Sequence, residues 1–482
     1  MVRAPLVGYQ PHVLQRAKWD IAHPDKSMAS ILDLIGQTPL IEAQHLETGG
    51  ARLFLKLENH NPGGSIKDRV ALSMIEAAER EGHIRPGSLI VEATAGNTGL
   101  GLALVASQKG YRLLIVMPDK MSQEKIFHLK ALGAEVLLTR SDVTKGHPEY
   151  YQDMAARLTR ETPGAFYVNQ FANEANPRAH EESTGPELWE QMEQRVDAVV
   201  CGVGTGGTIT GLARFFARVS PQTEMVLADP VGSILAALVN TGKPPAHVGS
   251  WVIEGIGEDF VPPVCDLSRV TKAYSIPDKE ALLTCRELLR KEGVMGGTST
   301  GTLVAAALRY CRERGDGKRV VTFVGDSGNK YLSKVYNDFW MIDQGFIERE
   351  RYGDLRDLIS RRHHDHAVAT VGADERVLNA YQRMKLYDVS QLPVLKDGHI
   401  VGIVDEEDIL AEVTENPEHF NDPVTEAMET HLVTVAPNAS IGELMDIFKR
   451  GMVAIVVDGK EFLGLITRID MLNWLRRRLD DK

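Results

Sequence analysis

Cysteine is scarce. The four in 482 residues, Cys201, Cys265, Cys285 and Cys311, form no CxxC pair and are too few and scattered for a disulfide scaffold. This excludes the small stapled folds of secreted proteins and points to a reducing compartment. Long apolar runs are missing too, since no uncharged stretch approaches the roughly 18 residues a membrane span needs. Nor does the N-terminus hold an apolar core of signal-peptide length, because Pro5, Gly8, Gln10, Pro11 and His12 interrupt it. A cytoplasmic location is therefore expected. Positive charge is in deficit: the formal net charge of -12 opposes nonspecific attraction to nucleic acid or an anionic membrane, both polyanions, so neither is an expected partner.

What is present is the composition of a globular protein, 43% hydrophobic and 25% charged, at a length that suggests about three domains. From residue 28 to 342, short apolar runs alternate with helical patterns, the mark of an α/β fold with largely parallel strands. Strands are expected at 53–58, 88–93, 112–118, 198–202, 225–230 and 319–326, and helices at 69–81 and 122–132. Residues 1–27 read as an extension, and the charge-dense stretch 343–365 as a solvated linker. The cluster His363, His364, Asp365, His366 lacks cysteines or a second cluster, so no metal site is expected. From 366 to 482 the chain repeats itself: VGADERVLNAYQRM at 371–384 aligns with VAPNASIGELMDIF at 435–448, and HIVGIVDEEDIL at 399–410 with EFLGLITRIDML at 461–472. Each copy reads strand, helix, strand, strand, helix, and the two should pack as a pair.

Three loops carry the chemistry. In NPGGSIKDR, residues 61–69, a rigid Pro-Gly-Gly turn sets Lys67 directly before a helix, where an amine can meet a carbonyl. In EATAGNTGLGLA, residues 92–103, Gly96 and Gly99 admit a ligand close to the backbone at a helix start, and Thr94, Asn97 and Thr98 add donors. In CGVGTGGTITG, residues 201–211, successive amides and the Thr205 and Thr208 hydroxyls form a cradle for one phosphate group. This third loop also satisfies GxGxxG through Gly202, Gly204 and Gly207, with Asp229 ending the next strand, as a dinucleotide site would. A dinucleotide, however, gives no role to Lys67 or Asn97, whereas a phosphorylated aldehyde cofactor uses all three loops.

The ordered set NPGGSIKDR, TAGNTG, GTGGT, EGIG and GDSGNKYLS is similar to that of the fold-type II pyridoxal-phosphate enzymes. With the C-terminal repeat, which looks like a CBS-domain pair, the architecture resembles the cystathionine β-synthase family over about nine tenths of the chain. The resemblance implies an α/β fold of two open subdomains followed by a tandem CBS (Bateman) module. It implies pyridoxal 5'-phosphate bound covalently by Lys67, with Asn97 on the ring hydroxyl, Gly204, Thr205, Gly206, Gly207 and Thr208 on the phosphate, and Ser327 at the pyridine nitrogen. Thr94, Gly96, Thr98 and Gln170 would hold the carboxylate of an amino-acid substrate. Asp326 stands beside Ser327, and in an extended segment only one of the two can face the ring.

The implied reaction is a β-replacement joining serine or cysteine to homocysteine, with hydrogen sulfide released from cysteine. A cysteine synthase acting on O-acetylserine would share every cofactor residue, and a non-catalytic adenosyl-ligand sensor is the alternative of a different class. The chain departs from its relatives at Glu258, where Tyr is usual, and at Ala95, Phe171 and Glu181, all around the implied second-substrate pocket. Glu258 would either attract an amino-acid ammonium or face water. Vertebrate relatives ligate haem through an N-terminal Cys and His; no cysteine precedes Cys201, His12 and His23 read as solvated, and no haem is expected. Thr467 and Asp470 in GLITRID resemble the ribose contacts of adenosyl-ligand sites, while Asp405 in the first copy would repel a phosphate. A homodimer or higher homo-oligomer is expected.

Overall fold

The computed structural model describes residues 30–480 apart from 95, 120–122, 145 and 316. His12, His23, the 1–27 extension and Ala95 lie outside the described residues. The chain divides into two compact units, the first ending at Lys330 and the second starting at Tyr331.

Among the described residues, ten strands build the first unit: β1 (Leu40–Glu42), β2 (Arg52–Lys56), β3 (Leu89–Ala93), β4 (Arg112–Pro118), β5 (Glu135–Thr139), β6 (Phe166–Tyr167), β7 (Ala198–Cys201), β8 (Glu224–Pro230), β9 (Val270–Ile276) and β10 (Arg319–Phe323). They form two open sheets, one in the order β1-β2-β10-β7-β8-β9 and one in the order β5-β4-β3-β6. Apart from the antiparallel β1–β2 pair, both are parallel. Parallel strands covered on both faces must be apolar throughout, which is why β7, sequence AVVC, is buried at every position. The strand expected at 319–326 stops at Phe323, since the chain turns there and Asp326 bridges to Ser65 of the Lys67 loop.

Helix Lys67–Arg80 buries Val70, Ala71, Met74, Ile75, Ala77 and Ala78, the i, i+3, i+4 stripe of a helix facing a core. Asp68 in its first turn and Arg80 in its last match the helix dipole. Helix Asn97–Lys109 lies against it so closely that a Cβ on Gly101 would stand 2.9 Å from the Lys67 carbonyl oxygen. Glycine there is what lets the two helix starts meet.

The second unit contains the repeat. β11 (Val371–Gly372), β12 (Gln391–Lys396) and β13 (His399–Asp405) make one three-stranded sheet, and β14 (Thr434–Val435), β15 (Ala454–Asp458) and β16 (Glu461–Ile466) the other. In both, the first pair is parallel and the second antiparallel, with a register shift at equivalent points, Val394/Leu395 and Val456/Val457. Each copy therefore has the expected strand, helix, strand, strand, helix order. The expectation of a solvated linker is not met in the middle of 343–365: Leu355, Leu358 and Ile359 are buried in the core of the second copy with Leu444 and Ile466. Three apolar side chains spaced i, i+3, i+4 supply a face that the surrounding charges obscure.

Candidate active site

The Lys67 turn is held from behind by a buried ion network. The Arg69 guanidinium donates from Nε to Glu58 Oε2 at 2.8 Å, from Nη2 to Glu58 Oε1 at 2.8 Å and from Nη1 to Glu187 Oε2 at 2.8 Å. Lys56 pairs with the same Glu187. Burial pushes the Glu58 carboxyl up, but the Arg69 and Lys56 cations outweigh it and hold it below the usual carboxylate range. Glu58 Oε2 also accepts from Asn61 Nδ2 at 2.9 Å, so the network fixes the first residue of the Pro-Gly-Gly turn. Gly64 then takes φ +75°, a conformation a side chain would strain. Asp68 accepts from the Gly63 N–H, and Ile66 N–H donates to the Gly325 carbonyl at 2.9 Å.

These constraints place Lys67 half-buried at the start of its helix. Burial pushes its amine down to about 8, against the pull of the Asp326 carboxylate, which favours the charged form. An amine in that range gives up and regains a proton near neutral pH, which an ordinary lysine does not.

Asp326 and Ser327 face opposite ways. Asp326 Oδ2 accepts from Asn97 Nδ2 at 2.8 Å, while Ser327 Oγ accepts from the Asn329 N–H at 3.3 Å and its backbone N–H donates to the Gly64 carbonyl at 3.0 Å. Lys330 completes the cluster. Its ammonium donates to Asn97 Oδ1 at 2.8 Å and reaches the carbonyls of Gly63 at 3.2 Å and Gly64 at 3.4 Å. The Asn97 amide is thus oriented on both sides, its oxygen by Lys330 and its nitrogen by Asp326. Lys330 was missed by sequence reasoning, although it stands three residues after Ser327 in the same motif.

The four residues expected to hold a substrate carboxylate also lie together. Thr94 Oγ1 accepts from the Gly96 N–H at 3.2 Å, and Thr98 Oγ1 donates to Gln170 Oε1 at 2.6 Å. A Cβ on Gly96 would meet nothing within 4 Å, so the loop faces open space there. Beneath the loop, Glu92 is fully buried and its carboxyl is pushed up to about 8 by that burial, with Gln170 beside it.

The third loop begins helix Gly207–Val219, with Gly206 at φ +87°. A Cβ on Gly204 would lie 2.4 Å from the Gly255 carbonyl oxygen, and one on Gly207 would lie 1.9 Å from Asn176 Oδ1. The backbone is therefore pressed between two neighbours, leaving its amides and the Thr205 and Thr208 hydroxyls as the groups able to meet an anion. Asn176 Nδ2 donates to the Gln170 carbonyl at 2.9 Å and to Thr205 Oγ1 at 2.8 Å, joining this loop to Gln170. A close-packed cradle, a low-pKa amine and an oriented amide together fit pyridoxal 5'-phosphate. The dinucleotide alternative leaves the last two without use.

Around this centre, Glu258 is half-buried and has no hydrogen-bond or ion-pair partner for its carboxylate among the described residues. Burial, helped by Asp259 and Asp229, pushes it up to about 8. Phe171 packs against Phe260 at 5.8 Å between ring centroids, and Glu181 pairs with Arg218 at the surface. In the second unit, Asp470 Oδ2 accepts from the Thr467 N–H at 2.7 Å and hydroxyl at 2.6 Å, and its other oxygen accepts from Ser360. His363 packs on Phe462 and His364 pairs with Asp365.

Residues 31–326 match the family described as pyridoxal-phosphate dependent enzyme, and residues 355–415 and 424–477 match the CBS domain. The chain is 36% identical over 468 residues to a cystathionine beta-synthase of Dictyostelium discoideum, covering 93% of each chain. It is 34% identical to one of Saccharomyces cerevisiae, covering 93% of this chain and 98% of that one. Among solved structures it resembles a hydrogen sulfide-producing enzyme from Fusobacterium nucleatum, with TM-score 0.59 and 39% identity over 64% of this chain and all of the other. It also resembles O-ureido-L-serine synthase, with TM-score 0.60 and 33% identity over 67% of this chain and 98% of the other. Sequence, fold and site agree: the chain belongs to the cystathionine β-synthase family of pyridoxal-phosphate-dependent lyases, its catalytic unit followed by a CBS-domain pair.

Proposed function

We propose that the protein joins L-serine, or cysteine, to homocysteine, forming cystathionine and releasing water or hydrogen sulfide. The observation that carries this reading is the Lys67 amine, lowered to about 8 and set among three glycine-rich loops, in a chain similar over nearly its whole length to cystathionine β-synthases. Lys67 would hold the cofactor's aldehyde, Asn97 its ring hydroxyl, Ser327 its ring nitrogen, and Gly204, Thr205, Gly206, Gly207 and Thr208 its phosphate. The cofactor supplies a sink for the electrons of the substrate's Cα–H bond.

The chain's own residues do the rest. Thr94, Gly96, Thr98 and Gln170 bind the substrate carboxylate and orient the amino acid. The Lys67 amine removes the Cα proton and returns it to the departing hydroxyl, which cannot leave as hydroxide. The homocysteine thiol then adds at Cβ; the replacement is redox-neutral, with one water formed per serine consumed. A hydroxyl at the ring nitrogen, unlike a carboxylate, does not stabilise a charged pyridinium, which favours elimination over longer-lived carbanion chemistry. Asp326 is already engaged by Asn97, which supports Ser327 for that position.

A product assay comparing serine plus homocysteine with O-acetylserine plus sulfide tests the reading: cystathionine from the first pair is expected, and turnover of the second pair alone would overturn it. The second reading, sulfide addition to an O-acylated serine, draws on the unpaired Glu258 in the loop beside the cradle and on the likeness to O-ureido-L-serine synthase. For the CBS-domain pair, an adenosyl ligand at Thr467 and Asp470 is our reading, and calorimetry with S-adenosylmethionine and AMP tests it, no heat from either counting against it. Four free cysteines support our reading of a cytoplasmic protein, which we take to be a homo-oligomer acting on small amino acids. Among the described residues, no helix is long and apolar enough to cross a membrane.

A further inference from the structure

Behind the phosphate cradle lies a set of buried side chains that the mechanism above does not use. Asn176, His180 and Thr184 are each 0% exposed. They follow one another on helix Ala175–Ala179 and the wider π-helical turn His180–Thr184, a departure from regular helix of the kind often found at functional sites. The Asn176 amide has only one possible orientation. Its partner at 2.9 Å is the Gln170 carbonyl, which can only accept, so the nitrogen must face it; the other N–H of the same nitrogen then donates to Thr205 Oγ1 at 2.8 Å. Asn176 Oδ1 is left buried without a hydrogen-bond partner among the described residues, pressed against Gly207. A buried acceptor left unmade is costly, which shows that the donors set the geometry here.

His180 repeats the pattern. Its Nδ1 lies 3.0 Å from Thr184 Oγ1 and its Nε2 lies 3.2 Å from Thr208 Oγ1. Burial, with the Lys67 and Arg69 cations, holds the imidazole well below its usual range, so it is neutral and has one N–H. If Thr184 donates to Nδ1, the proton sits on Nε2 and is donated to Thr208.

We infer that Asn176 and His180 are positioning residues that fill the acceptor side of the Thr205 and Thr208 hydroxyls from within, so that both hydroxyl protons point outward to a phosphate. Without these inner donors each hydroxyl could satisfy itself on a buried acceptor and present a lone pair to the anion. Thr184 sets the imidazole tautomer from the far end of the relay. The inference rests on the cofactor reading above and adds to it a selection for the phosphate over the rest of the cofactor.

The test compares the affinity of the full-length apoprotein for pyridoxal 5'-phosphate with that for pyridoxal, which lacks the phosphate. In Asn176→Asp, which turns an inner donor into an acceptor, and in His180→Phe, the preference for the phosphorylated form should fall about tenfold or more, as expected for one hydrogen bond to a charged group. Pyridoxal affinity should stay within about twofold of wild type. Equal losses for both ligands, or an unchanged preference, would overturn the inference while leaving the cofactor assignment standing; failure of the wild type to bind either ligand would overturn both. A neutron structure of the wild-type holoenzyme needs no substitution: deuterium on His180 Nε2 is expected, and deuterium on Nδ1 would overturn the relay.

Discussion

Replacing Lys330 with Met should weaken the site although Lys67, not Lys330, is the amine we propose for the cofactor. Methionine keeps most of the length and of the apolar stem, so the change chiefly removes the ammonium. Three contacts go, but at 3.2 and 3.4 Å the bonds to the Gly63 and Gly64 carbonyls are weak, whereas the 2.8 Å bond to Asn97 Oδ1 is short and charge-assisted. A hydrogen bond to a charged group contributes about 1.5–3 kcal/mol, so loss of the Asn97 contact should cost roughly 10- to 100-fold. Burial already disfavours the Lys330 ammonium, and neutral Met removes that penalty, which places the expected effect toward the lower end. The unpinned Asn97 amide should weaken the bond proposed for it with the cofactor's ring oxygen, giving a shifted cofactor absorbance together with a kcat/KM about tenfold or more below wild type. Lys330→Arg should recover most of this. Wild-type absorbance and kcat/KM within about twofold for Lys330→Met would refute the orienting role.

Other outcomes follow from the same geometry. Cofactor uptake by the apoprotein needs an unprotonated Lys67, so its rate should rise with pH through about 8 rather than near 10.5, and Asp326→Asn, which removes the charge holding the proton on, should move that midpoint lower in stopped-flow traces. Gly207→Ala should lose the cradle and destabilise the fold by about 1–3 kcal/mol in denaturant melts through its clash with Asn176, while Gly96→Ala, which meets nothing, should keep stability and raise KM for the amino acid. Arg69→Met strands the buried Glu58 without its paired cation and leaves Glu187 with Lys56 alone, and should cost about 3–5 kcal/mol by thermal or chemical unfolding. The Glu258 carboxyl is neutral below about 8, so any attraction for a substrate ammonium should strengthen as pH rises through that value and vanish in Glu258→Gln; a homocysteine KM with the same pH profile in both proteins would dismiss it.

The sequence made the loops legible because glycine next to a phosphate, amine or helix start leaves a compact local pattern, and the repeat was legible because two copies share one spacing. The parallel strands showed as apolar runs for the reason that both faces are covered. What could not be read were pairings between distant positions. Lys330 meets Asn97 across 233 residues, and Asn176 meets Thr205 across 29; single polar residues carry no period that announces a partner. The burial of Glu58 and Arg69 was hidden for a related cause, since charge in a sequence reads as surface until its counter-charges are found. Leu355, Leu358 and Ile359 were masked by their charged neighbours. The separation of Asp326 from Ser327 was foreseeable from strand geometry, but which of them turned toward Asn97 was fixed only by the bridge to Ser65.

The central claim is that one particular amine holds the cofactor. Borohydride reduction of the loaded protein followed by peptide mapping tests it directly. A pyridoxyl group on Lys67 is the predicted result; a tag on Lys330, its nearest rival in the cluster, or no tag at all, would contradict the account.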